Sequence, residues 1–204
     1  MSVSIDAAWK SLNKHQEELC GDKVEILKTE ESDILILADG MGSGVKANIL
    51  ATLTSRILGT MLREGAQIES CVETIARTLP VCSVRKVAYA TFSILQIYHD
   101  GRAYLAEFDN PSCIFIRNGR IVDYPYEVRE IGGKKIHEYN FTVQKNDCFI
   151  LMSDGVVYAG AGSILDLNGW TWEAVADYAL KCTKQSMSAS RLAVMLSQAC
   201  EELY

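Results

Sequence analysis

The chain has 204 residues, 49% of them hydrophobic and 23% charged, with a formal net charge of −6. That length and balance predict one globular domain with a sizeable core and argue against disorder. An acidic chain with no long basic run leaves little basis for a nucleic-acid partner.

The opening MSVSIDAAWKSLNKHQEEL lacks an apolar core of signal-peptide length, and no later segment approaches a membrane span. Seven cysteines, at 20, 71, 82, 113, 148, 182 and 200, form no CxxC pair. They read as reduced thiols in a cytoplasm. His15, His99 and His137 show no HxxxH pairing that would suggest zinc.

Along the chain, Val3–Trp9 is a strand candidate, followed by a polar loop and a second strand over Val24–Lys28. Ile34–Ala38 is an unbroken apolar run, which predicts a central strand buried on both faces. It stops at Asp39-Gly40, with further glycines at Gly42 and Gly44. Val45, Ile49, Leu50, Leu53, Ile57 and Met61 then recur at helical spacing, and Gly65 is a natural stop. Ile68, Val72, Ile75 and Leu79 mark a second helix ended by Pro80.

The period then changes. Val87–Tyr98 and Ala103–Phe108 flank Asp100-Gly101 as a hairpin, and Ile114–Arg117 and Ile121–Tyr124 flank Asn118-Gly119 as another. Gly132-Gly133 separates two short strands, and Phe141–Val143 and Cys148–Met152 extend the β-rich middle. Cys148–Met152 reads as a second buried strand and ends in Ser153-Asp154-Gly155. A third helix begins around Trp172, Val175, Ala176 and Ala179. A fourth, carrying Ala189, Leu192, Ala193, Leu196, Ala199, Cys200 and Leu203, runs to the end. Hairpin-joined strands and segregated helix pairs predict an α+β fold with a largely antiparallel sheet. Two packed sheets, each covered outside by a helix pair, satisfy strands that are apolar on both faces.

Asp-Gly is common and usually marks a turn, as at Asp100-Gly101. Asp39-Gly40 and Asp154-Gly155 differ, because each closes an apolar run with no pairing strand directly after it. A carboxylate so placed must be solvated, hydrogen-bonded or bound to a cation. The spacing leaves a plain turn and a metal site both open. The glycines at 40, 42 and 44 miss the GxGxxG fingerprint by one position, and Gly44-Val45-Lys46-Ala47 fails the Walker pattern. Cys71 and Arg77 have cysteine-phosphatase spacing, but the intervening VETIA has no glycine and fits a helix, so Cys71 is read as a helix residue. Ser153 lacks the GxSxG context of a serine hydrolase.

Asp22 in CGDKVEI, the ADGMGSG turn with its helix, and MSDGV, in that order, resemble the metal-dependent serine/threonine phosphatases of the PPM superfamily. The likeness is to the bacterial branch related to stage II sporulation protein E and the stressosome phosphatases. The segment Glu107-Phe108-Asp109-Asn110-Pro111 stands where that branch carries a Gly-His-Asn-Pro-Pro-like turn, here altered. The resemblance implies a four-layer αββα sandwich with a binuclear Mn²⁺ or Mg²⁺ centre. By matched position, Asp22 and Asp39 would be carboxylate ligands with Asp39 the bridge, the Gly40 carbonyl a further ligand, and Asp154 a ligand of the second ion. Hard oxygen donors suit these cations. The implied activity is hydrolysis of phosphoserine or phosphothreonine on a bacterial signalling protein, by in-line attack of a metal-bridged hydroxide. The implied substrate is an anti-sigma-antagonist-like or stressosome phosphoprotein, with neither nucleic acid nor membrane as partner.

Two departures stand out. The family usually ends in a strand preceded by an Asp-Asp pair that completes the metal site, whereas this chain stops at Glu201-Glu202-Leu203-Tyr204 on a predicted helix. The expectation is therefore a single phosphatase domain over 1–204 that lacks this strand and binds its metals weakly. Val3–Trp9 also carries no arginine to hold the substrate phosphate, as is common in this branch. The alternative function is a phosphatase-like module that docks a regulatory partner without turnover.

Overall fold

The computed structural model describes residues 3–13, 18–78, 90–131, 133–161, 168–183 and 187–203. The chain forms two compact units interleaved in sequence. One holds Met1–Val3, Asn13–Asn110 and Tyr124–Val143; the other holds Ser4–Leu12, Pro111–Asp123 and Gln144–Tyr204.

The first unit is built on a six-stranded sheet of β1 (Asp22–Lys28), β2 (Ser32–Gly40), β3 (Ala90–Tyr98), β4 (Arg102–Phe108), β7 (Glu127–Ile131) and β8 (Lys134–Thr142). The strands run in the order β1-β2-β3-β4-β8-β7, every neighbour antiparallel. Thr29 closes the β1–β2 hairpin by donating its amide to the Ser32 carbonyl. Gly101, at φ 96, turns β3 into β4. Helices α1 (Gly44–Arg63) and α2 (Ile68–Thr78) cover one sheet face. There Ile34, Ile36, Phe92, Ile94, Ala106 and Phe108 meet Leu58, Leu62, Ile68, Val72 and Ile75 in one core. The opposite face is buried too at Leu37, Leu95 and Leu105. The expectation of strands apolar on both faces holds for β2 to β4.

α1 turns a different face to the sheet from the one its large apolar residues suggest. Val45, Ile49 and Leu53 are 62%, 52% and 53% exposed, while Ala47, Ala51, Thr54, Ser55, Leu58, Gly59 and Leu62 are buried. Small side chains let the helix backbone approach the sheet, and this close approach selects the buried face over side-chain hydrophobicity. Gly65, at φ 81, ends the helix as expected, its amide bonded to the Leu62 carbonyl. The expected end of α2 at Leu79-Pro80, the start of β3 at residues 87–89, Gly132 and Cys82 lie outside the described residues.

The second unit carries a three-stranded antiparallel sheet in the order β6-β5-β9. Its strands are β5 (Ile114–Arg117), β6 (Arg120–Ile121) and β9 (Cys148–Ile150), and its helices are α3 (Asp154–Val157), α4 (Trp172–Thr183) and α5 (Ala189–Glu201). Asn118 and Gly119, at φ 51 and 70, make the β5–β6 hairpin turn in the left-handed geometry that Asn-Gly favours. Ile114, Ile116, Met152, Val175, Ala176 and Ala179 form this unit's core. Ser188 caps α5, its side chain accepting from the Arg191 amide.

Three expectations are corrected. Val3–Trp9 forms no strand; its one ladder-like bond runs from the Val3 amide to the His99 carbonyl. The Cys148–Met152 run yields only three strand residues, all half-buried. With β5 as its one neighbour among the described strands, β9 cannot be covered as an interior strand is. The plain-turn reading of Asp154-Gly155 also fails, because both residues open α3.

Candidate functional site

The site grows from the end of the first hairpin. Asp22 stands opposite Asp39 in the β1–β2 register, and Asp39 stands opposite Thr91 on β3. The amide of Gly40 donates to the Gly21 carbonyl at 3.2 Å, which makes the next pair along, Asp22 and Asp39, a non-hydrogen-bonded pair. Side chains in such pairs are the closer ones, so two half-buried carboxylates share one face at short range. Like charges directly opposite one another destabilise a sheet, and a cation between them removes the conflict.

Several groups hold this pair. Asn48, on the first turns of α1, donates from Nδ2 to the Cys20 carbonyl at 2.8 Å and so pins the entry to β1. The Asp22 amide donates to Cys20 Sγ at 3.5 Å. Beyond Asp39 the chain leaves β2 through Gly42 and Gly44, at φ 102 and 65, and enters α1. Gly40 itself is the last residue of β2. Its hydrogen atom faces α1, and its carbonyl lies 3.7 Å from where a Cβ on Gly21 would stand.

On the same face, one register step further, a polar group continues the row. Thr91 Oγ1 donates to Asn110 Oδ1, and Asn110 Nδ2 donates to Ser93 Oγ at 3.0 Å. Ser93 is paired with Glu107, whose Oε2 accepts from the Tyr139 hydroxyl at 3.0 Å. Glu107 is 3% exposed. The motifs did not single out Asn48, Thr91 or Ser93, whereas Glu107 and Asn110 fall in the altered Glu107–Pro111 segment. The signal available for two of them was the alternation Thr91-Phe92-Ser93-Ile94, with hydroxyls on one face and large apolar groups on the other.

Of the expected ligands, the structure brings Asp22, Asp39 and Gly40 together at one end of the larger sheet. Asp154 belongs to the second unit, exposed at the first position of α3 after the cap residue Ser153. A donor set of two carboxylates and a backbone carbonyl is all hard oxygen, which fits Mg²⁺ or Mn²⁺ rather than a thiophilic ion. Among the described residues, no three His, Cys, Asp or Glu side chains gather into a group that could hold a metal ion. Cys71 lies in α2, fully buried, and burial together with the neighbouring Glu69 pushes its thiol up to about 11. A thiol held protonated inside a helix is no phosphatase nucleophile.

Comparison with known proteins places the fold. Residues 30–204 match the family model described as Stage II sporulation protein E (SpoIIE). No curated protein matches the chain. Among solved structures, the PP2C phosphatase domain of SpoIIE from Bacillus subtilis, solved with a fragment of its regulatory domain, superposes with a TM-score of 0.70 at 17% identity, covering 91% of this chain and 54% of that one. The RsbU and RsbW domains of a Mycobacterium tuberculosis protein give 0.71 at 17% identity, covering 94% and 52%. RsbX in complex with magnesium gives 0.58 at 24% identity, covering 84% and 83%. The chain thus spans about half the length of the first two structures. At these identities the likeness shows the fold, which is that of the PP2C phosphatase domain, α+β with antiparallel sheets. With the fold so placed and the family pattern running from Glu30 to the last residue, the chain belongs to the stage II sporulation protein E family.

Proposed function

We propose that this chain is a metal-dependent protein phosphatase that hydrolyses phosphoserine or phosphothreonine on a signalling protein. The observation that carries the reading is the opposition of Asp22 and Asp39 beside the glycine turn into α1. Family membership and the PP2C fold support it, and the solved RsbX structure contains magnesium.

In this reading Asp22, Asp39 and the Gly40 carbonyl would hold Mn²⁺ or Mg²⁺, with Asp39 the carboxylate ligand central to the site. On its Ser-Asp-Gly motif alone, Asp154 would be a ligand of the second ion. Bound divalent cations supply Lewis-acid chemistry, activating water and offsetting the charge that builds on the phosphoryl group. The chain's own residues do the positioning. The β1–β2 ladder sets the separation of the two carboxylates, and Asn48 holds the start of β1 against α1. The buried apolar face beneath Asp39 keeps its backbone from shifting. No side chain is needed as a covalent nucleophile.

One similar structure joins RsbU and RsbW domains, and another comes from the bacterial stressosome. By that analogy an anti-sigma-antagonist-like or stressosome phosphoprotein is the proposed substrate, in a cytoplasmic setting. No helix among the described residues is long and apolar enough to cross a membrane.

The test is hydrolysis of p-nitrophenyl phosphate and of a phosphoserine peptide with and without Mn²⁺. Activity that needs Mn²⁺, disappears with EDTA and is lost in Asp39→Asn is the expected result. Equal turnover in EDTA, or stoichiometric bound zinc unaffected by Asp39→Asn, would overturn the reading.

A further inference from the structure

The polar row beside Asp39 has a direction. Asp109, at φ 52, sits in the left-handed region that Asp tolerates better than most residues, and it turns the chain directly after β4. Asn110 thereby folds back over β3, between the two hydroxyls that flank Phe92, the partner of Phe108. At the far end of the row Glu107 is a buried acceptor. Its Oε2 accepts from the Tyr139 hydroxyl, and Ser93, 1% exposed, is its partner in the β3–β4 register. Ser93 accepts from Asn110 Nδ2, which leaves Asn110 Oδ1 turned to Thr91. Thr91 has a single hydroxyl proton and gives it to Asn110.

Thr91 is also the cross-strand neighbour of Asp39. Opposed side chains on paired strands are within reach of each other, and a hydroxyl left without a partner would donate to that carboxylate. We propose that Asn110 is a positioning residue for the carboxylate site: by taking the Thr91 proton it keeps that hydroxyl from competing with a cation for Asp39. The altered turn Asp109-Asn110-Pro111 is thus the part of the chain that sets the polarity of the row. This inference rests on the proposed assignment of a divalent cation to Asp22 and Asp39.

The experiment is calorimetric titration of Mn²⁺ into the full chain and three variants, with unfolding midpoints in EDTA as the folding control. Asn110→Ala is expected to weaken Mn²⁺ binding by roughly 10-fold, the usual scale for a residue that orients a ligand. Thr91→Val removes the competing proton in an isosteric, strand-compatible side chain, so it is expected to bind Mn²⁺ within about 2-fold of the parent. The double variant Thr91→Val/Asn110→Ala is expected to recover that affinity, which a merely structural role for Asn110 would not produce. Asn110→Ala binding as tightly as the parent, or a double variant as weak as the single one, overturns the proposal. A parent chain that binds no Mn²⁺ overturns the cation assignment itself, and the parent titration shows that outcome separately.

Discussion

Gly40 lies so close under Ala47 that a Cβ on Gly40 would stand 2.0 Å from the Ala47 carbonyl oxygen and 2.9 Å from its Cα. The contact is backbone against backbone at the point where β2 ends and α1 passes over it. Neither partner is a flexible side chain that could swing away. Gly40→Ala is therefore expected to destabilise the chain by about 3 kcal/mol, the upper range for overpacking a filled site. Gly42→Ala meets open space and carries only the strain of φ 102, so about 1 kcal/mol is expected. Urea unfolding of the two variants checks the order; Gly42→Ala proving the worse of the two would contradict it.

The opposition of Asp22 and Asp39 predicts a stability change that inverts with metal. In EDTA, Asp22→Asn removes a like-charge pair from the sheet and is expected to raise stability by about 0.5 kcal/mol. In Mn²⁺ the same variant is expected to fall below the parent, because the parent alone gains binding energy from both carboxylates. Thermal unfolding under the two conditions measures both signs. A loss in EDTA would mean that Asp22 serves the fold rather than a cation.

The thiols should be poor targets for alkylation. Cys71 and Cys148 are both pushed up to about 11, each chiefly by burial, with Glu69 and Asp147 adding to the effect. At pH 8 about one thiol in a thousand would be ionised at such a value. Iodoacetamide at pH 8 is expected to leave both unlabelled in the folded chain and phosphatase activity intact, as read by mass spectrometry and turnover. Rapid labelling of Cys71 with loss of activity would restore the cysteine-phosphatase reading.

The same burial gives the stability curve an alkaline limb. The Cys71 thiol has an ordinary value of 9.0 and stands near 11 in the fold, so the folded state keeps a proton that the unfolded chain releases. Its contribution is present in full below pH 9 and is lost as pH rises toward 11. Tyr104, raised by burial and by its bond to Glu138, adds a further loss above pH 10. Cys71→Ala is expected to flatten the slope between pH 9 and 11. An unchanged slope in urea midpoints across that range would remove Cys71 from the account.

Arg117 grips Asp147 through Nε at 2.9 Å and Nη2 at 2.6 Å, with Asp147 only 3% exposed and also accepting from the Gln144 amide. Arg117→Ala leaves a buried carboxylate without its cation and is expected to cost about 3 kcal/mol. Arg117→Lys supplies charge but no fork, so it should recover less than half of that loss. Denaturant unfolding of both variants decides; a cost under about 1 kcal/mol for Arg117→Ala would place the pair among weak surface bridges.

Much of this molecule is legible in the order of its residues, and the legible part has a common cause. β2, the Asn118-Gly119 hairpin, the Asp100-Gly101 hairpin, α2, α4 and α5 are each specified within a window of a dozen residues by apolar period and turn chemistry. Asp22, Asp39 and Gly40 were marked by the motifs around them, and strand pairing then brought them together. Tertiary structure decided what no local window contains. It chose the small-residue face of α1 for burial, because Gly40 lets the helix backbone come down onto β2, and so left Val45, Ile49 and Leu53 outward. It shortened the Cys148–Met152 strand, because β9 has one neighbour, and turned Ser-Asp-Gly into the head of a helix. It placed Thr91 opposite Asp39 through a register between strands distant in sequence, and it bonded Asn110 to the Thr91 and Ser93 hydroxyls. Local propensity sets the elements, but the partner across a ladder is chosen by the burial of the whole sheet, and that choice assembled the polar row around the carboxylates.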